Sequence, residues 1–200
     1  MSNLRIFATV IFTTVLFVSC SNDEDIISAP AMPEPINEEE VITTLTVTLV
    51  PEGGGTAVVL SFQDLDGDGE DAPVIDVLGD LAAGVTYNGS IELLNETEIP
   101  AEDITEEVKE EGLEHQFFFT VGTGLDVTTA YSDNEGTGVD SVGNPLGIEF
   151  TLTAGAESSG TLTFTLRHEP NKPNTGLSDA DGETDIEVAF DIEVIEEKEM

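Results

Sequence analysis

Apolar and polar side chains alternate strictly through most of this chain, and only extended strands can turn a period of two into one buried face. The clearest run is 183–194. There Ile186, Val188, Phe190, Ile192 and Val194 alternate with Asp185, Glu187, Ala189, Asp191 and Glu193. Such a strand predicts one dry face and one wet face, as in antiparallel sheets. Segment 41–50 repeats the pattern, with Leu45, Val47 and Leu49 opposed to Thr44, Thr46 and Thr48. The turn residues Pro51, Glu52, Gly53, Gly54 and Gly55 follow, and 56–63 then reads as the partner strand of a hairpin.

Further strands are expected at 74–78, 86–94, 115–121, 125–131, 146–153 and 161–168, separated by Gly, Asp and Asn turns. One segment breaks the period. In 101–111 Ile104 and Val108 stand four apart, Pro100 precedes and Gly112 follows, so a short helix is expected, leaning on the strands through Ile104, Val108 and Leu113. The fold class that follows is all-β: an antiparallel Ig-like or Greek-key β-sandwich of about nine strands with one short helix near 101–111. The stretch TVTLVPEGGGTAVVLSF is echoed by EFTLTAGAESSGTLTFTL, a pattern that fits either a duplicated half or two hairpins of convergent composition.

The amino-terminal residues carry a different signal. Arg5 precedes an apolar run from Ile6 to Val18, which is short of the roughly 20 residues that a spanning helix needs. The run closes on Leu16, Phe17, Val18 and Ser19 before the single cysteine, Cys20. This resembles a bacterial lipobox, where cleavage leaves the cysteine first and acylated, although Phe17 stands where the pattern prefers Leu. Ser21, Asn22, Asp23, Glu24 and Asp25 resemble the acidic export signal of Bacteroidota surface lipoproteins. Residues 21–40 hold three prolines and seven acids without apolar periodicity, and read as an extended tether. The organisation is therefore a lipoprotein signal peptide at 1–19, an acidic Pro-containing tether at 20–40, and a β-sandwich at 41–196.

The stretches Glu39-Glu40-Val41-Ile42-Thr43-Thr44, Asp64-Leu65-Asp66-Gly67-Asp68-Gly69 and Leu166-Arg167-His168-Glu169-Pro170-Asn171-Lys172 are similar to those of short Bacteroidota surface lipoproteins. That group is sometimes labelled a type 1 periplasmic binding fold superfamily. The label implies a two-lobed α/β receptor, whereas the strand pattern here implies an all-β domain. The resemblance implies lipid anchoring to the outer membrane, with the domain facing the cell exterior, and brings no known activity.

Charge excludes several functions. Five Lys and Arg against 42 Asp and Glu leave a formal net charge of −37, which argues against nucleic acid as a partner and against docking on an anionic leaflet. A single cysteine excludes an internal disulfide framework and a Cys-rich zinc site. No Gly-x-Ser-x-Gly elbow or phosphate-cradling Gly loop is present, and the chain reads as a non-enzyme.

Two metal motifs stand out. Asp64, Asp66 and Asp68 followed by Gly69 match the opening of a calcium loop, with Glu70 as a further oxygen donor. The twelfth position is Ile75 rather than a bidentate Glu, and Asp-Gly is also ordinary turn chemistry. A poorer loop of the same kind runs from Asp179 to Asp185. His115 opens the strand phase of Phe117 and Phe119, and His168 closes the phase of Leu162, Phe164 and Leu166. If those strands pair antiparallel, the two imidazoles meet at one edge of the core. Such a pair suits Cu, Zn or Ni, with Glu114 or Glu169 as third ligand. The alternative is two strand-end histidines lying far apart. Function accordingly reads as a binding or scaffolding surface lipoprotein, or as a metal-handling envelope protein.

Overall fold

A computed structural model describes residues 40–67, 69, 71–133 and 143–196. These all belong to one compact unit. Residues 1–39, with Cys20, Ser21, Asn22, Asp23, Glu24 and Asp25, lie outside the described residues, as do Asp68 and Glu70.

Among the described residues there are eleven strands and two short helices. In chain order they are β1 (Thr44–Pro51), β2 (Val58–Gln63), β3 (Val74–Leu78), β4 (Leu81–Ala82), β5 (Thr86–Asn95), β6 (Glu102–Asp103), α1 (Ile104–Glu110), β7 (His115–Val121), β8 (Val127–Tyr131), β9 (Glu149–Ala154), β10 (Ser158–His168), α2 (Leu177–Ala180) and β11 (Glu183–Ile195). Nine strands have five residues or more, and β4 and β6 have two each. One sheet runs β3-β2-β1-β5-β9-β8, with β6 appended to β5, and the other runs β4-β11-β10-β7. Every pairing is antiparallel except the two-residue β4–β11 ladder. The chain is an all-β sandwich.

The alternation does the burying. Leu45, Val47 and Leu49 on β1 and Ile186, Val188, Phe190, Ile192 and Val194 on β11 all lie in the core, while Glu187, Asp191 and Glu193 are exposed. Aromatic rings join the two layers. Phe150 of β9 packs 4.5 Å from Phe119 of β7 and 5.8 Å from Phe164 of β10, and Phe164 meets Phe190 of β11 edge-on at 5.9 Å. Each buried Phe contributes about 1.5–3 kcal/mol by area, and edge-to-face pairs add to that.

Three expectations change. The helix starts at Ile104 instead of 101, because Asp103 caps it. Its Oδ1 accepts from the Thr105 and Glu106 amides at 3.0 and 3.4 Å, and Glu102–Asp103 pairs with β5 instead of entering the helix. Ile104 and Val108 pack on the core as expected, but Leu113 is about half exposed at 51%. The echoed halves also fold differently. The first forms the β1–β2 hairpin, whereas in the second β9 and β10 lie in different sheets. Asp126 holds the connection between them by accepting from the Ala156 amide at 2.8 Å, so the chain crosses the sandwich instead of turning back.

Candidate metal centre

The register of β7 against β10 places His168 directly opposite His115, continuing Leu166 opposite Phe117 and Phe164 opposite Phe119. Both histidines fall on the inward phase, so the imidazoles meet at the end of the core with ring centroids 4.9 Å apart. His115 is fully buried and His168 is 5% exposed. Antiparallel pairing thus brings together two histidines that the strand phases alone left either adjacent or far apart.

The acids that join them are neither Glu114 nor Glu169. Those two are exposed at the strand ends, where the Glu169 amide donates to the Glu114 carbonyl at 2.6 Å. Glu40 and Asp185 take the place instead. One donor atom from each of Glu40, His115, His168 and Asp185 lies within 4.8 Å of all the others. The carboxylates are buried as well, with side chains 4% exposed for Glu40 and 0% for Asp185.

Asp185 overturns the expected exposed phase of β11. Leu166 pairs with Ile186, but the next residue, Arg167, pairs with Thr184. Asp185 is therefore the extra residue of a β-bulge. A bulge rotates a side chain out of the alternation and recurs beside functional sites, and here it turns inward a carboxylate that strict alternation would leave in water. Arg167 holds the bulged strand through Nη1, which donates to the Gly182 carbonyl at 3.1 Å and to Thr184 Oγ1 at 2.7 Å. Gly182 has φ +78°, and a Cβ there would stand 2.3 Å from the His168 carbonyl oxygen.

Glu40 arrives from the other direction, on the lead into β1. Nothing in its local sequence marks it among neighbouring acids, since Glu38, Glu39 and Glu40 are identical in type.

The separations suit a small ion. His115 Nε2 lies 2.9 Å from Glu40 Oε1 and 3.7 Å from Asp185 Oδ2. His168 Nδ1 lies 3.6 Å from Asp185 Oδ1 and 4.0 Å from Glu40 Oε2. A tetrahedron with arms of about 2.1 Å has edges of about 3.4 Å, within the range of those four distances.

The far side of His115 is also set for ligation. Its Nδ1 lies 3.3 Å from the Glu111 carbonyl oxygen. A carbonyl only accepts, so we assign the proton to Nδ1, which leaves Nε2 facing the carboxylates. A backbone acceptor behind the ring is the usual way of orienting a metal-binding imidazole. Lys172 braces the same turn, donating from Nζ to the Gly112 and His115 carbonyls, each at 2.6 Å.

Electrostatics match. Burial alone pushes the Glu40 carboxyl up, but the approach and charge of His115, with its own backbone and His168, bring it below the ordinary carboxylate range. Burial pushes His115 down, while Glu40, Asp185 and the Glu111 carbonyl raise it above the ordinary imidazole range overall. Both directions favour a positive charge between the carboxylates; without an ion a second proton on His115 supplies it, and a metal would have to displace that proton. At 2.9 Å the contact of His115 Nε2 with Glu40 Oε1 is close enough for an ion pair, yet Nε2 makes no properly aligned hydrogen bond. Two carboxylates and two neutral imidazoles would bury a charge of −2, which one divalent cation balances.

The calcium loop looks different. The Asp66 amide donates to Asp64 Oδ1 at 3.3 Å and the Asp71 amide to Asp66 Oδ2 at 3.2 Å, so both carboxylates serve the turn itself. In the second loop Asp179 accepts from the Thr175 amide and hydroxyl, and Asp185 belongs to the histidine cluster. No helix among the described residues is long and apolar enough to cross a membrane. Compared with protein-family models, curated proteins and solved structures, the chain matches none.

Proposed function

We propose that this chain is a lipid-anchored, non-catalytic envelope protein whose β-sandwich binds one divalent transition-metal ion through Glu40, His115, His168 and Asp185. The observation that carries the metal reading is the convergence of four buried donor atoms from four separate segments within 4.8 Å. Neutral imidazoles favour zinc, copper or nickel over calcium and magnesium, which prefer all-oxygen sets. Four protein ligands in a buried, closed site fit zinc in a structural role better than a catalytic ion, which keeps an open position for substrate.

The lipobox ending at Cys20 supports the anchor, and Asp23, Glu24 and Asp25 directly behind it support display on the cell exterior. A tether of about twenty extended residues would reach roughly 60 Å at about 3.1 Å per residue, holding an acidic domain clear of an anionic surface.

Two measurements test this. Elemental analysis of protein equilibrated with zinc and desalted should find one zinc per chain, and the His115→Ala and His168→Ala variants should retain little. Folded wild-type protein that retains no zinc, copper or nickel ends the metal reading. Cys20→Ala should leave the membrane fraction. Replacing Asp23, Glu24 and Asp25 by Ala should keep the protein membrane-bound but shielded from protease added to whole cells, and wild-type cleavage of that variant would refute surface export.

A further inference from the structure

We infer that the ion bound by Glu40, His115, His168 and Asp185 is a staple between the two sheets, fastening the lead into β1 onto the opposite layer; this rests on the metal reading above. Three of the four ligands belong to one sheet, with His115 on β7, His168 on β10 and Asp185 on β11. The fourth does not. Glu40 precedes β1, which lies inside the other sheet between β2 and β5.

The connection from Glu40 to that sheet is short and firmly held at its far end. Thr43 is buried and tied on every side. Its amide donates to the Leu94 carbonyl at 3.0 Å, its carbonyl accepts from the Asp64 amide at 2.8 Å, and its hydroxyl accepts from the Glu96 amide at 2.8 Å. From Thr43 back to Glu40 the chain can extend about 10 Å, at about 3.3–3.6 Å per residue. Packed sheets stand about 10 Å apart. The lead is therefore about as long as the gap it has to cross. Ile42 packs against the core on the way and Val41 is exposed.

Sandwiches of this kind can be stapled by an inter-sheet disulfide. Here the only cysteine is Cys20, outside the sandwich, so no such bond can form. An ion held by both layers performs the same cross-linking. It limits the separation of the layers and keeps any pull on the tether from peeling β1 away.

Backbone hydrogen exchange of the full chain in detergent, with saturating zinc or with chelator, tests the staple. Zinc should slow exchange in residues 40–43 at least about tenfold, together with the ends of β7, β10 and β11. At zinc about 100-fold above Kd, the melting temperature should rise by about 5–10 °C. Glu40→Gln keeps three ligands. At zinc concentrations that still fill its site, it should retain slowed exchange at the ends of β10 and β11 and lose it in residues 40–43. One zinc per chain with unchanged exchange in residues 40–43 overturns the staple and leaves the metal site standing. The same holds if Glu40→Gln protects 40–43 as wild type does. Failure of the wild-type protein to bind zinc, copper or nickel overturns both.

Discussion

Asp133 illustrates how burial acts on a single carboxylate outside the histidine cluster. Its Oδ2 accepts from the Gly147 and Ile148 amides at 2.7 and 3.1 Å, while Oδ1 is buried without a hydrogen-bond partner among the described residues. Burial outweighs those amides and pushes the carboxyl up to about 6. A carboxyl raised on folding binds its proton more tightly in the native state, so its charge costs stability above pH 6 and the cost fades as pH falls towards the ordinary value near 3.8. Asp133→Asn keeps an acceptor for both amides and removes the charge. The variant should melt higher than wild type at pH 7–8, and the gap should close towards pH 4 when melting curves are compared across that range. A gap independent of pH would show that ionisation is not the cost.

Elements place the side chains that chemistry uses, and close approach sets their tolerances. Gly89 on β5 faces Phe150 on β9, and a Cβ at position 89 would stand 2.4 Å from the ring. The strand gives up a side chain there, and the Phe150 ring fills the space. Gly89→Ala should therefore cost about 1–3 kcal/mol, the range for overpacking, read as a lower urea midpoint with an unchanged slope. The cap of α1 is a second such point. Asp103→Ala exposes two amide donors and should cost about 0.5–2 kcal/mol, with the loss confined to stability because the helix supplies no side chain to the histidine cluster. The β10–β11 bulge acts in the same way on Asp185, turning one extra residue into a buried carboxylate beside the two histidines.

At the scale of the whole molecule, stability comes from one aromatic-rich core working against a large excess of negative charge. Phe164 is fully buried and touches Phe119, Phe150 and Phe190. Phe164→Ala should cost about 3–5 kcal/mol, measured by denaturant unfolding, and should unfold the whole sandwich rather than one sheet, since its partners span both. Against this, a net charge of −37 repels itself within the compact state. Raising sodium chloride from about 10 mM to about 200 mM shortens the screening length from about 30 Å to under 10 Å. The melting temperature of metal-free protein should rise accordingly. A flat salt response would mean that the acids are already spaced widely enough to be screened by water.

Alternation, turn residues and the lone helical spacing are local properties. They were enough to read an all-β sandwich and to put His115 and His168 in phase with the apolar residues of their strands. Each depends on which way a side chain points along its own strand, and that is set within a few residues. The carboxylate half of the histidine cluster was not legible in this way. Asp185 reads as exposed by strict alternation, and only its pairing with β10 inserts the bulge that turns it inward. Glu40 is one acid in a run of three, and its partners stand 75, 128 and 145 residues further along the chain, at His115, His168 and Asp185. The nearer acids Glu114 and Glu169 were the natural local choices, but the strand ends leave them in water. Local pattern determined which faces are dry; long-range register and the crossing of the chain between sheets decided which charges share the dry space.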